Sequence, residues 1–267
     1  MNLSNNNLSG TIPESLSQAL QVVNLSHNKH VSGTIPTSLV TLPGLSQLAL
    51  FDLNLEGTIP EFSNNPNLAF VALGRTKLTG NVPSSLTTLP NLKYLYLVEN
   101  ELSGPIPTDF HLDTESQIQH LYLSGNRLSG VIPADLTTID SLIHLGLDFN
   151  LLTGSLPPEM SRLKSLQRLF LNNNENLSGK IRDTLSSLDM LEELFMQNTG
   201  LISRDNALCD DRNDGSVWKF LVADCNSDAD QVVCTCCDAC CPAETNEGDA
   251  VCGSSLVPSG TSFFETV

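Results

Sequence analysis

The chain has 267 residues, a formal net charge of −17 and an isoelectric point near 4.4. This acidic balance argues against nucleic acid and against an anionic membrane surface as partners. No run of about 18 apolar residues occurs, so the sequence predicts no transmembrane helix and no membrane insertion by this chain.

A repeated motif runs along the chain from Met1 to about Leu201. Its clearest copy, Leu121–Pro133, reads L-x-L-x-x-N-x-L-S-G-x-I-P. The glycine of the motif recurs every 23 to 26 residues, at Gly10, Gly33, Gly57, Gly80, Gly104, Gly130, Gly154 and Gly179. A ninth, degenerate copy spans Leu191–Leu201. A period of this length predicts a solenoid, in which each repeat buries its apolar side against its neighbours.

Each L-x-L segment alternates leucine with a variable residue, which is the pattern of a strand with one buried face. The copies should therefore stack as a parallel sheet, with residues such as Leu95 and Leu97 in the core. Tyr94 and Tyr96 should lie on the opposite face of that sheet.

The two remaining parts of the motif predict the corners of each repeat. We expect the asparagines to bond backbone groups that the turn leaves unpaired, as a ladder that Leu53, Thr76 and Thr199 interrupt. The S/T-G-x-I/V/L-P half marks a second corner, where glycine permits a tight turn and proline fixes φ. The segments that follow, such as Ala134–Asp140, predict one or two helical turns.

At this level of detail the motif resembles the plant-type leucine-rich repeat family, over roughly three quarters of the chain. That family includes ectodomains of receptor-like kinases, receptor-like proteins and secreted inhibitors of cell-wall-degrading enzymes. The resemblance implies an α/β leucine-rich repeat solenoid with a parallel sheet on its concave face and short helical or irregular turns on its convex side. It also implies an extracellular or cell-surface location and no catalysis in the repeats.

The last 59 residues differ from the repeats, with 2 Lys and Arg against 11 Asp and Glu and with every cysteine of the chain. The spacing resembles the cysteine-rich cap of leucine-rich repeat proteins of diatoms and related algae. We expect residues 1–203 to form the solenoid, 204–252 the cap and 253–267 a disordered tail. An even, clustered set of cysteines predicts four disulfides of open connectivity, with a zinc cluster as the less favoured alternative. The cysteines are Cys209, Cys225, Cys234, Cys236, Cys237, Cys240, Cys241 and Cys252.

The start of the chain departs from the family pattern. Met1 stands where a strand leucine is expected, and neither a signal peptide nor an N-terminal cap precedes the first repeat. We expect an exposed apolar edge there. A truncated gene model or fragment accounts for this start, and a cytosolic protein is the competing explanation. In a secreted chain, the Asn-x-Ser acceptors Asn7 and Asn176 are the favoured glycosylation sites.

The variable strand positions carry most of the aromatic residues, which predicts an exposed aromatic stripe of the kind that binds ligands. The expected ligand-binding residues are Phe70, Tyr94, Tyr96, His120, Tyr122, His144, Asp148, Phe149, Arg168, Phe170 and Phe195. Ordinary strand propensity is the alternative reason for aromatic residues here. His120, His144 and Asp148 could also hold zinc or copper, but the third ligand is unproven and we assign no metal.

The sequence therefore favours a non-catalytic module that binds a peptide, a protein or a cell-wall glycan. A structural or adhesion protein that uses the solenoid as an extracellular spacer is the alternative. No nucleophile, metalloprotease, phosphate-binding or kinase motif occurs, so we expect neither catalysis nor a cofactor in these residues. A kinase domain would have to lie in a longer parent protein.

Overall fold

The protein is described by a computed structural model that covers residues 1–110, 116–181, 185, 187–202, 220–224 and 239–241. The chain divides into two compact units, Met1–Leu128 and Ser129–Val267. Each unit is a stack of repeat turns whose strands are all parallel to their neighbours, so the predicted leucine-rich repeat solenoid is confirmed.

The L-x-L segments form short strands in both units. In the first unit they are β2 (Val22–Asn24), β4 (Gln47–Ala49), β6 (Phe70–Ala72), β8 (Tyr94–Tyr96) and β10 (His120–Tyr122). In the second they are β12 (His144–Gly146), β14 (Arg168–Phe170) and β16 (Glu193–Phe195). Equivalent residues pair directly, for example Phe70 with Tyr94 and Tyr94 with His120, so each motif position forms a column across the sheet.

The second half of each motif forms another parallel sheet, which the sequence analysis treated only as a corner. Its strands are β1 (Ser9–Thr11), β3 (His30–Gly33), β5 (Asn54–Thr58), β7 (Lys77–Gly80), β9 (Glu101–Gly104), β11 (Arg127–Gly130), β13 (Leu151–Gly154), β15 (Asn174–Lys180) and β17 (Thr199–Ile202). β11 spans the boundary between the units. Its first residues pair with β9 and its last residues pair with β13.

Short helical turns follow the Gly-x-Ile-Pro corners, as predicted. They are the α-helix α1 (Ser84–Thr87) and the 3₁₀-helices Ala134–Thr138 and Pro158–Arg162. Each begins directly after a proline, whose fixed φ suits the entry to a helix. Each also buries one side chain fully: Leu86, Leu136 or Met160. No helix within the described ranges is long and apolar enough to cross a membrane.

The predicted asparagine ladder is present. Asn126 Nδ2 donates to the carbonyl oxygens of Leu97 and Leu123, at 2.9 and 3.0 Å, and its Oδ1 accepts the Leu102 N–H at 3.0 Å. Asn28, Asn100 and Asn174 make equivalent bonds. Each asparagine therefore completes its own turn and the turn of the preceding repeat. Leu53 offers no polar group, so the ladder is interrupted there as expected. Thr76 Oγ1 donates to the Leu73 carbonyl of its own turn and to Asn100 Oδ1 of the next repeat. Thr199 Oγ1 donates to the Met196 carbonyl and accepts the Leu201 N–H.

Two observations concern the ends of the chain. Met1, Leu3 and Leu8 are each about 40% exposed, which confirms the apolar edge predicted for the first repeat. β18 (Phe220–Asp224) pairs with β16, and β19 (Ala239–Cys241) pairs with β18. The region predicted as a cap thus adds two strands to the L-x-L sheet of the second unit. Leu221 pairs with Leu194 and is fully buried, so it extends the leucine core.

Candidate functional site

The candidate site is the face of the L-x-L sheet that lies opposite the leucine core, which we call the outer face. Leu95 and Leu97 are fully buried in the core, and the alternation of a strand places Tyr94 and Tyr96 on the outer face. The predicted direction of these side chains is therefore correct. Each of the two units has its own L-x-L strands and therefore its own outer face.

In the first unit, five rings on neighbouring strands form one aromatic cluster: Phe70, Tyr94, Tyr96, His120 and Tyr122. The rings of Phe70 and Tyr96 lie 5.6 Å apart, edge to face, and those of Tyr96 and Tyr122 stack at 5.5 Å. Tyr94 also contacts His120, with ring centroids 4.9 Å apart. Strands spaced about 4.8 Å apart bring every ring of a column within contact of the next one.

The expected exposure of this stripe is wrong for two of the five rings in the cluster. Tyr96 is 8% exposed and Tyr122 is 2% exposed, whereas Phe70, Tyr94 and His120 are half-buried. Rings in adjacent columns shield one another, because each ring is wider than the spacing between strands. The ligand-accessible part of the cluster is therefore Phe70, Tyr94 and His120. The buried rings of Tyr96 and Tyr122 pack beside them.

Burial has an electrostatic consequence for Tyr96. Desolvation raises the pKa of its phenol to about 12, and the neighbouring Tyr94 adds to the shift. Loss of the proton would place a negative charge among stacked rings, where water cannot solvate it. Tyr96 therefore stays a neutral hydroxyl throughout the physiological range.

The second unit carries a different set of contacts on its outer face. Arg168 Nε donates to Glu193 Oε2 at 3.1 Å, and the Glu193 side chain is almost fully buried. At the next outward-facing position of the same strands, the rings of Phe170 and Phe195 lie 5.2 Å apart. Both rings are buried, so they too contradict the expected exposed stripe. Asp148 is also buried, and His144, which pairs in register with Arg168, is half-buried.

The next outward position of the second unit holds two amides, Asn172 and Gln197, that are not among the expected ligand-binding residues. Asn172 is fully buried with no hydrogen-bond partner for either Nδ2 or Oδ1, and Gln197 is 7% exposed with no partner for Oε1. A polar column beyond the second leucine was visible in the sequence. Nothing in the sequence showed that these amides would lack partners.

Phe149 is the exposed aromatic residue that the prediction expected. It is 48% exposed and has a φ of 53°. Residues at the same motif position also have positive φ, among them His27, Asp52, Arg75 and Glu99. Most of these are small or polar. A bulky ring in the left-handed region is unusual, because its Cβ crowds the backbone there.

Several predicted features stay predictions. Asn7 and Asn176 are exposed, as glycosylation requires, but modification itself is untested. The disulfides fall outside the described side chains, although Cys240 and Cys241 lie on the β19 backbone. His120 and His144 belong to different units, so their pairing stays a prediction. Within the described residues, no three His, Cys, Asp or Glu side chains come together to hold a metal ion.

An open groove of about 780 Å³ lies on the Gly-x-Ile-Pro corners of the first unit. Its floor includes the buried Ile59, Val82 and Ile106, and its rim carries Glu61 and Asp109. The groove is lined by three successive corners of this kind, which stack side by side.

Comparison with known proteins supports the same fold. A family model described as Leucine Rich Repeat matches residues 1–19, 91–112 and 117–139. The structure is similar to that of the Arabidopsis receptor kinase HAESA in complex with the peptide hormone IDA and the co-receptor SERK1. Sequence identity is 33% and the TM-score is 0.67, over 76% of this chain and 34% of that one. No curated protein sequence matches the chain significantly.

Two further structures show the range of proteins with this architecture. The PEPR1–AtPEP1 structure is 29% identical with a TM-score of 0.68, over 76% of this chain and 28% of that one. A plant ice-binding protein is 28% identical with a TM-score of 0.54, over 73% of this chain and 70% of that one. The chain spans about a third of the receptor structures that it matches. The motif, the parallel sheets that it builds and these matches show a leucine-rich repeat solenoid of the plant type seen in receptor-kinase ectodomains.

Proposed function

We propose that this chain is a non-catalytic recognition module that binds a peptide, or an extended segment of a protein, on the outer face of its L-x-L sheet. The observation that carries the proposal is the aromatic cluster of the first unit. It combines half-buried Phe70, Tyr94 and His120 with buried rings that hold them in place. Rigid aromatic side chains that are partly exposed to solvent are typical hot spots of binding surfaces.

The relatives support a peptide rather than a glycan as the ligand. The HAESA structure contains the peptide hormone IDA, and another structural relative is the receptor RGFR1 in complex with RGF2. Their repeats are similar to those of this chain, and the outer face is where this chain varies between repeats. In keeping with the receptor relatives, we place the module outside the cell, as part of a secreted or cell-surface protein.

The first experiment is selection of ligands with the full chain as bait. A displayed library of random linear peptides and a panel of cell-wall oligosaccharides are offered to the wild-type protein, and enriched ligands are measured by calorimetry. We expect linear peptides to be enriched. Tyr94→Ala should weaken their binding at least tenfold, because removing a central aromatic anchor costs about 2 kcal/mol.

Val131→Ala is the matched control, because Val131 is an exposed apolar residue that does not lie on the L-x-L sheet. It should leave the affinity unchanged. Enrichment of oligosaccharides alone would contradict the peptide assignment. Self-association without any selected ligand would favour the structural or adhesion alternative, and sedimentation at several concentrations measures it.

A further inference from the structure

The outer face of the second unit contains polar atoms that the protein itself does not satisfy. Asn172 presents an unpaired donor and an unpaired acceptor, and Gln197 presents an unpaired acceptor. Both side chains are more than nine-tenths buried. Leaving a buried polar group without a partner costs about 1–3 kcal/mol, so such groups are rare in native proteins and ask for a specific cause.

The two amides lie side by side. β14 and β16 are in register, with Phe170 paired to Phe195. The backbone pairing of these two segments continues beyond the ends of the strands. The Leu171 N–H donates to the Phe195 carbonyl at 2.8 Å, and the Asn173 N–H donates to the Gln197 carbonyl at 3.0 Å. Asn172 and Gln197 therefore occupy equivalent positions on adjacent segments of the sheet, about 4.8 Å apart.

Their direction follows from the alternation of the strand. Leu169 and Leu171 are fully buried in the leucine core, and Asn172 continues the series of Arg168 and Phe170 on the outer face. The amide pair is therefore the third row of a two-strand site. The first row is the Arg168–Glu193 ion pair, and the second is the Phe170–Phe195 ring pair.

The missing bonds are not a general property of asparagine in these turns. Asn174, two residues further on, donates to the carbonyls of Leu147 and Leu171 and accepts the Leu152 N–H at 3.0 Å. The same residue type in the same turn is thus fully bonded when it points inward. Among the described residues, Ser38, Asn65 and Ser187 also have a buried polar atom without a partner, but only Asn172 and Gln197 form an adjacent pair on the L-x-L sheet.

We propose that Asn172 and Gln197 form a subsite that binds a main-chain peptide group of the ligand. This rests on the proposed function and names the chemistry recognised at one part of it. Asn172 Nδ2 donates to the ligand carbonyl, and Asn172 Oδ1 or Gln197 Oε1 accepts the ligand N–H. A carboxamide and a peptide group match in this way because each carries one planar C=O and N–H set. Arg168 and Glu193 pair with each other, and the buried Asp148 lies in the same row as Asn172 on the preceding strand. A neutral group that donates an N–H therefore suits the site better than an anion.

The subsite meets solvent at Gln197, which keeps a small exposed fraction. Glutamine side chains have several rotatable bonds, so rotation of Gln197 opens a path to Asn172 at modest cost. A ligand peptide group that enters here is desolvated by Phe170 and Phe195, which strengthens its hydrogen bonds.

The direct test uses N-methylacetamide, the smallest molecule with a peptide group, and the full chain labelled with ¹⁵N. The side-chain NH₂ signals of Asn172 and Gln197 are assigned from the variants Asn172→Leu and Gln197→Leu. We expect a saturable shift of the Asn172 signal on titration with N-methylacetamide, and a weaker one with methyl acetate, which keeps the carbonyl acceptor but lacks the N–H donor. The signal of Asn150, whose amide is bonded within its own turn, is the internal control and should not move.

The second test uses a peptide enriched in the library selection and its variants with single amide-to-ester replacements. One ester should weaken binding to the wild type about fivefold, because one hydrogen bond is worth about 1 kcal/mol. The same ester should have no effect on the variant that lacks the accepting oxygen, Asn172→Leu or Gln197→Leu. Absence of both the saturable shift and the ester coupling, with Tyr94-dependent peptide binding intact, overturns the subsite and leaves the proposed function standing. Failure to select any peptide overturns the proposed function, and the titration with N-methylacetamide then decides the subsite separately.

Discussion

The inward and outward sides of the same turns treat polar residues in opposite ways. On the inward side, Asn126 makes hydrogen bonds to two repeats and lies in a column of near-identical residues. On the outward side, Asn172 is equally buried and bonds nothing. Burial alone therefore does not distinguish scaffold from function in this protein. On the L-x-L sheet the two sides differ in their hydrogen bonds, as expected if the scaffold satisfies its own polar groups and the proposed binding surface keeps some for its ligand.

The largest effect is expected on the inward side. Asn126→Leu removes the donors to Leu97 and Leu123 and the acceptor of the Leu102 N–H, and it leaves those backbone groups buried without partners. We expect a loss of about 3 kcal/mol in the free energy of unfolding. Urea denaturation followed by circular dichroism measures it. A loss below about 1 kcal/mol would show that the ladder is dispensable.

An alkaline titration tests the outer face of the first unit. The folded pKa of Tyr96, about 12, lies above its unfolded value of about 10. The neutral phenol therefore contributes stability that is complete below pH 10 and is lost as the pH rises through 12. The loss should be about 2–3 kcal/mol. Tyr96→Phe should remove this part of the pH dependence, measured by urea denaturation at several pH values. An unchanged profile would mean that Tyr96 ionises normally.

The opposite sign is expected for the outward asparagine. Asn172→Leu replaces an unbonded amide by an apolar group of similar size, and it should raise the free energy of unfolding by about 1–2 kcal/mol. The same urea assay used for Asn126→Leu gives the comparison directly. If Asn172→Leu destabilised the protein as strongly as Asn126→Leu, the two sides of the turn would not differ and the comparison would be lost.

The smallest effect concerns Phe149. A large ring with φ of 53° is strained, and its exposure means that little packing would be lost on replacement. Phe149→Asn should stabilise the protein by about 0.5–1 kcal/mol, because asparagine tolerates the left-handed region. Thermal unfolding by calorimetry measures the gain. Phe149→Ala, which keeps a Cβ in the strained conformation without a polar group, is the control and should gain less.

The sequence predicted the scaffold well because each repeated residue of the motif has the same structural role in every repeat. Leucine spacing predicted the parallel sheet, and the asparagine column predicted the ladder with its gap at Leu53. The outer face was predicted less well. Periodicity tells which side of a strand a residue occupies. It does not tell how far Tyr122 is covered by its neighbour Tyr96, because that depends on ring size against strand spacing.

The unsatisfied amides were beyond sequence analysis for a related reason. Asn172 and Asn174 are the same residue two positions apart, and only the course of the backbone decides which of them finds partners. The two strands beyond β17 were missed because Phe220–Asp224 and Ala239–Cys241 lack the leucine motif. Pairing to a preceding strand needs backbone groups in register, and the sequence pattern does not report these.

The bonds of the ladder also give the repeat array a direction. The Leu78 N–H is accepted by Asn100, and the Leu102 N–H by Asn126, so each turn is completed by the repeat that follows it in the chain. Where the following repeat offers Leu53, the Val31 N–H bonds to the Asn28 carbonyl in its own turn instead. Gene duplication within such an array is therefore not symmetric. A copied repeat that carries the asparagine can complete the turn before it, whereas a copy without it leaves that turn to close on itself, as the Asn28 turn does.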